Sequence, residues 1–372
     1  MTTLAGPRVS GRRLVPGRPA IRVVLAVPAA ASLLVGLDGA LSLLDVWSPA
    51  PGDRTGSAHG VLMTLGFVGA LIALERAVAL RHPAGYIAPV ALAAGALLHV
   101  VPRTERVGAG LLVVGTVVLT LVYQRLWRRQ RDDAVLVQAL GAVLAVGATV
   151  GWLGGVPMAA VVPWLAGFLV LTIAGERLEL ARLGMPGSAG RLLVLAAVAL
   201  SVSVLALLLW ATAGPLFGLS LALVSGWLAR HDVARRTVRA SGLPRYMAIC
   251  MLSGQVWLVA AAGVWLLADP AVGGPAYDAA VHAVFLGFTM SMVMAHAPVI
   301  LPVVARVKLP FHPLLYAPLL LLQLGLVVRL WAGDALGTTT AWQVGGVLTV
   351  AALIGFMGCV FTLAATSHRW TS

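Results

Sequence analysis

The chain is a succession of apolar stretches, each about as long as a bilayer is thick, separated by short segments that carry most of its charge. A spanning helix needs about 20 consecutive apolar residues. Twelve stretches approach that length: Ile21–Trp47, Ser57–Leu80, Gly85–Val101, Val107–Trp127, Ala134–Leu153, Pro157–Ala181, Arg191–Ala213, Pro215–Ala229, Met247–Ala268, Asp278–Pro302, Pro313–Trp331 and Ala341–Thr366. The eighth is short. Only 10% of the 372 residues are charged and 60% are hydrophobic. A soluble domain carries about 25% charged residues, and disorder needs low hydrophobicity; both are excluded. Membrane β-barrel strands alternate apolar and polar residues, and runs such as Arg191–Trp210 do not. The expectation is an all-α, polytopic membrane bundle of twelve transmembrane helices.

The net charge of +13 invites a nucleic-acid reading, but its placement argues otherwise. With the N-terminus inside, all but four of the 26 lysines and arginines fall on the inner side; Arg54, Arg103, Arg106 and Arg329 are the exceptions. That is the bias cytoplasmic loops show. The lipid bilayer is the expected partner, and no nucleic acid is needed. Residues 1–20 read as a basic cytoplasmic tail, 21–366 as one transmembrane domain and 367–372 as a second cytoplasmic tail, in a bacterial-type inner membrane. The N-terminal arginines (Arg8, Arg12, Arg13, Arg18, Arg22) precede no short apolar region with a cleavage site. Cys250 and Cys359 lie in apolar stretches without a CxxC and read as packing residues. No phosphate-binding Gly-rich loop or HExxH is present.

Three stretches share a pattern. The second contains His59, then Gly66-Phe67, then Glu75-Arg76; the sixth contains Gly167-Phe168, then Glu176-Arg177; the tenth contains His282, then Gly287-Phe288, then His296. In each, an ionisable residue follows nine residues after the glycine. The period is four helices, which predicts a threefold pseudo-repeat with units at about 21–127, 134–229 and 247–366. Gly-Phe pairs also serve simple helix packing, and the matched spacing favours the repeat over that reading. Repeat interfaces are where membrane proteins build sites.

Ionisable groups inside a bilayer are costly and are functional candidates for that reason. His59 and His282 fall at similar depth near the outer ends of distant helices, with Asp38 and Asp45 in the outer half of the first helix and Asp278 one turn before His282. His296 lies 14 residues beyond His282, within about 40° of the same face and roughly 21 Å deeper. Gly66 lies within about 20° of the His59 face and leaves room for a flat group beside the helix. A metalloporphyrin held between two helices needs one neutral imidazole from each at equal depth; His59 and His282 are weighed equally as ligands and as structural residues. His82, His99, His231, His312 and His368 read as packing or interfacial residues. Glu75-Arg76 and Glu176-Arg177 read first as ion pairs at helix ends, and second, with His296 and Asp38, as a polar or proton path. Met290, Met292 and Met294 are spaced by two on a helix, which suits packing better than copper ligation.

The stretch from His282 to Arg329, with His282, a basic residue at Arg306 and a further histidine at His312, resembles the NnrS family. The His59-Gly-Val-Leu-Met-Thr-Leu-Gly-Phe segment resembles the helix-two histidine segment of the same family and of haem-copper oxidase subunit I, whose twelve-helix architecture the chain shares by helix count. The resemblance implies a b-type haem with His59 and His282 as axial ligands, Gly66 and Gly287 beside it, and a role in the nitric oxide response: binding a diatomic gas, or electron transfer with a redox partner. Oxidases also place copper-ligating histidines on helices six and seven; Pro157–Ala181 and Arg191–Ala213 contain none, so an oxidase-type copper centre does not follow. Two other classes remain open from the residues: a twelve-helix secondary transporter with His296, Glu75 or Glu176 as coupling groups, and a haemless membrane scaffold.

Overall fold

The computed structural model describes residues 19–49, 53–181, 184–268, 270, 273–305 and 309–367. Arg8, Arg12, Arg13, Arg18, Arg182, Arg306, Lys308, His368 and Arg369 lie outside the described residues. Among the described residues every regular element is helical. Among the described residues the longer helices are twelve: α1 (Pro19–Leu43), α2 (Asp53–Leu80), α3 (Pro83–Leu98), α4 (Glu105–Gln130), α5 (Asp133–Leu153), α6 (Met158–Ala181), α7 (Ser188–Leu209), α8 (Gly214–His231), α9 (Gly242–Leu267), α10 (Pro275–Pro302), α11 (Pro313–Ala335) and α12 (Thr339–Ser367); a four-residue helix, Ala234–Thr237, lies between α8 and α9. Each of the twelve coincides with one of the expected stretches. Ten are long and apolar enough to cross a membrane; α3 is a shorter apolar helix, and α8 is not among the ten.

Local chemistry sets several of the boundaries. Asp132 caps α5 by accepting from the Ala134 amide at 3.1 Å. Gly274, at φ 86°, delivers the chain to Pro275 in the first turn of α10, where a missing N–H costs nothing. The seventh stretch was expected to run to Ala213, but α7 ends at Leu209: Trp210 is extended, and α8 opens with Pro215 in its first turn. α4 ends at Arg131 in a left-handed conformation.

The outward surface carries rows of exposed leucine and valine, among them Leu195, Leu320, Val202 and Val256, each more than half exposed. A soluble protein does not present contiguous apolar surface on this scale; hydrocarbon is the solvent such faces match. The fold is a multi-pass membrane bundle.

Burial is uneven around that bundle. The most apolar stretches of α2, α6 and α10 are 83%, 78% and 61% buried, against 28–56% for the other seven spans. These three therefore form the centre. The α2 backbone widens into a π-helix over Leu62–Gly69, where the Ala70 amide reaches back to the Leu65 carbonyl, and α10 does the same over Ala283–Met290. Aligned on their Gly-Phe pairs, the two π segments cover the same positions, from four residues before the glycine to three after it. A third π segment, Val328–Ala335, sits in α11. Such widened turns cost backbone geometry and concentrate at functional positions.

Candidate functional site

Two of the predicted site residues, far apart in sequence on α2 and α10, lie within electrostatic reach of one another. His59 lies within electrostatic reach of His282, Asp278 and Arg329. The two rings are held in the same way. His59 Nδ1–H donates to the Gly36 carbonyl of α1 at 2.7 Å. His282 Nδ1–H donates to the Asp278 carbonyl one turn back at 2.9 Å, with Asp278 Oδ1 at 3.1 Å. A proton committed to Nδ1 leaves the Nε2 lone pair free in a neutral imidazole. Neither Nε2 meets a hydrogen-bond partner among the described residues, and both side chains are only partly buried. Asp278 is itself gripped by Arg329 of α11, whose Nε and Nη2 donate to its two oxygens at 2.8 Å each. Trp342 Nε1–H adds a bond at 3.2 Å, and the Trp342 ring lies under the guanidinium. The chain from Arg329 through Asp278 to His282 fixes the imidazole's orientation, as outer-shell carboxylates do for ligating histidines. Asp38 is half-buried on α1, two residues from the carbonyl that anchors His59.

The glycines play a different part from the one expected. A Cβ on Gly66 would stand 2.5 Å from the Ala96 Cβ and 2.8 Å from the Ser32 hydroxyl, so this face is sealed by α1 and α3. A Cβ on Gly287 would strike the Trp257 indole of α9, which covers that face. Both glycines permit close helix approach and neither opens a slot for a flat group. A groove of about 340 Å³, lined by Ser57, His99, Glu105, Arg106 and Trp152 among others, opens on the same side as His59; neither His59 nor His282 lines it.

At the opposite ends of the central helices, the structure assembles two arginine clusters. Arg177 of α6 donates from Nε and Nη2 to Asp232 Oδ2 and Oδ1 at 3.2 and 3.1 Å, and from Nη1 to His296 Nε2 at 3.1 Å. His296 Nδ1–H donates to the Met292 carbonyl at 2.7 Å. Gln255 of α9 donates to Asp232 Oδ2 at 3.2 Å, and the Ala234 amide donates to Oδ1 at 2.9 Å. Both oxygens of Asp232, both ring nitrogens of His296 and all three nitrogens of the Arg177 guanidinium have partners of opposite sense.

Arg76 of α2 occupies the position that matches Arg177, one residue past the ionisable position of the repeat pattern. Its Nη2 donates to Glu75 Oε1 at 2.6 Å, and its Nη1 to Glu179 Oε2 at 3.1 Å and to Gln138 Oε1 at 3.3 Å. Glu176 Oε1 stands 4.0 Å from Nη2. Gln138 Nε2 donates to Glu179 at 3.2 Å. Three carboxylates thus surround one guanidinium.

The remaining histidines take structural bonds. His99 donates from Nδ1 to the Gly95 carbonyl at 2.9 Å and accepts from Trp152 Nε1 at 2.8 Å. His82 and His312 accept from the Ala84 and Leu314 amides, and His231 donates to the Trp227 carbonyl. Met290, Met292 and Met294 are packed in the core. Among the described residues, no group of three His, Cys, Asp or Glu side chains converges as a metal-ion cluster.

Asp232, Gln138, Gln255, Tyr123 and the Arg329–Asp278 pair were not singled out from the sequence. Gln138 and Gln255 are uncharged amides deep in apolar stretches, a legible signal of interhelical bonding. Asp232 was masked by the basic loop that follows it.

These features define a polytopic all-helical membrane protein with a histidine pair at one end of its central helices and buried ion clusters at the other. Residues 22–365 match the family model described as Domain of unknown function (DUF8744), and the chain belongs to that family. No curated protein matches it.

Proposed function

We propose that this is a twelve-helix inner-membrane protein in which His59 and His282 are paired axial ligands of a b-type haem, in the manner of the NnrS family. The carrying observation is the matched state of two imidazoles from distant helices. Each has its Nδ1 proton committed to a backbone carbonyl, each Nε2 is unbonded, and the two lie within electrostatic reach of one another. That donor set fits a haem iron. The sealed faces of Gly66 and Gly287 exclude those two surfaces as the seat of the ring. A haem so held supplies one-electron chemistry and affinity for diatomic gases such as nitric oxide. The chain's own part is to fix the two imidazoles: α1 anchors His59 through Gly36, and Arg329 anchors His282 through Asp278. A haem there would be held by His59 and His282 together and would supply electron transfer with a redox partner or affinity for a diatomic gas.

Three observations support the threefold arrangement behind this reading. The helices carrying the Gly-Phe pattern are the three most buried. Two of them widen into π-helix at the same register. The arginine following the ionisable position reaches in each case towards the ionisable residue of the next unit, Arg76 towards Glu176 and Arg177 to His296. In α10 the corresponding residue is Ala297, so the ring of contacts does not close on α2. In this reading α3 and α8 also cross the bilayer, both termini are cytoplasmic, and the polar clusters around Arg76 and Arg177 lie at the inner face.

A secondary carrier is the competing reading, and the surplus of carboxylates around Arg76 is what favours it. His296 does not serve it well, since both its nitrogens are engaged. An absorbance spectrum of the full-length protein purified from haem-sufficient cells separates the two. The haem reading expects a Soret band that is lost in His59→Ala and in His282→Ala. A colourless native protein sinks it.

A further inference from the structure

The cluster around Arg76 holds a charge surplus that its partners leave uncompensated. Glu75, Glu176 and Glu179 face it, with side chains 25%, 12% and 40% exposed. The facing groups from the packed elements are Arg76 from α2, Tyr123 from α4, Gln138 from α5 and Arg177 from α6. Arg177 is committed to Asp232 and His296. One guanidinium therefore serves three carboxylates. It donates to Glu75 and to Glu179, and Gln138 donates a further bond to Glu179. Glu176 shares no hydrogen bond with the guanidinium: its Oε1 stands 4.0 Å from Arg76 Nη2, and Arg76 Nε is itself buried without a partner. A second orphan faces the same place. The Tyr123 hydroxyl is completely buried, has no hydrogen-bond partner, and lies within electrostatic reach of Arg76 and all three glutamates. A buried hydroxyl without a partner is uncommon, and a carboxylate without a donor in a low-dielectric interior is costly.

We propose that Glu176 is a proton-binding site, with the Tyr123 hydroxyl as its buried neighbour and Glu179 as the exchange route to the aqueous phase. A proton on Glu176 removes one of two surplus negative charges and turns an acceptor without a donor into a donor. Glu179, the most exposed of the three and close to the end of α6, links the site to water. The proton exchanges with solvent, and no covalent or redox step is involved. The site stands independently of the haem reading, because it lies at the other end of the central helices from His59 and His282.

The test is infrared difference spectroscopy of the full-length protein in lipid films, with pH steps in choline chloride, and with a change from choline to sodium chloride at fixed pH. The expected result is a carboxylic acid C=O band that responds to pH, shifts in D2O, is absent in Glu176→Gln and is displaced in frequency in Tyr123→Phe. Glu176→Gln should also melt no lower than the native protein, since it removes surplus charge. Three results overturn the proposal: a band that survives in Glu176→Gln, a native protein whose only carboxyl response is to sodium, or a Glu176→Gln protein that melts lower or fails to fold. The last would show that Glu176 is a structural ion-pair partner.

Discussion

Arg76 and Arg177 occupy the same position in two central helices, yet their surroundings are opposite in character. Around Arg177 charge balances: one carboxylate answers the guanidinium, one neutral imidazole accepts from it, and the Gln255 amide donates a further bond to the carboxylate. Around Arg76 three carboxylates crowd one guanidinium, and a tyrosine hydroxyl is left without a partner. The first arrangement is that of an interhelical clasp, because a satisfied buried network holds its members in one geometry. The second carries two more carboxylates than cations and leaves Arg76 Nε and the Tyr123 hydroxyl unpartnered, so its own residues do not balance it. Burial alone does not separate the two, since both arginines are under 10% exposed. Stoichiometry of charge separates them.

The sharpest way to break this contrast is Arg177→Met. It leaves Asp232, whose side chain is fully buried, without its cation. Removing one partner of a buried pair costs about 3–5 kcal/mol, so thermal unfolding in detergent should show a large loss of stability. The double variant Arg177→Met/Asp232→Leu should recover most of it. Equal stability of the single variant and the native protein would end the clasp reading. A middle-sized effect is expected for Gln255→Leu, which deletes one bond to the same carboxylate; bonds to charged groups are worth about 1.5–3 kcal/mol. The smallest belongs to the other cluster. Glu179→Gln alters a carboxylate that is 40% exposed, where an ion pair contributes under about 1 kcal/mol. A loss as large as that of Arg177→Met would mean that the Arg76 cluster is a clasp too.

Much of the candidate site was legible before any coordinates. His59 and His282 stood out because ionisable groups are rare in apolar stretches, and their places near the outer ends of two helices put them at similar depth. Glu75, Glu176 and His296 stood out by their constant distance from a Gly-Phe pair. What was not legible is who answers whom. Asp232 lies 55 residues from Arg177, and Arg329 lies 51 from Asp278. No periodicity links such pairs. Gly66 shows the opposite error: on one helix it looks like an opening, and only Ser32 and Ala96 on two neighbouring helices reveal that it is closed.

Sequence alone determined that this chain lives in a membrane and where its helices lie, because hydrocarbon imposes both length and polarity on any segment that crosses it. The same is true of which few residues had to find polar company. Tertiary packing alone decided which three helices sit at the centre, that two imidazoles from distant helices lie within electrostatic reach with their Nε2 atoms unbonded, and that one arginine is balanced while its counterpart is outnumbered. Those outcomes depend on distances between residues far apart along the chain, and such distances exist only once the helices have packed.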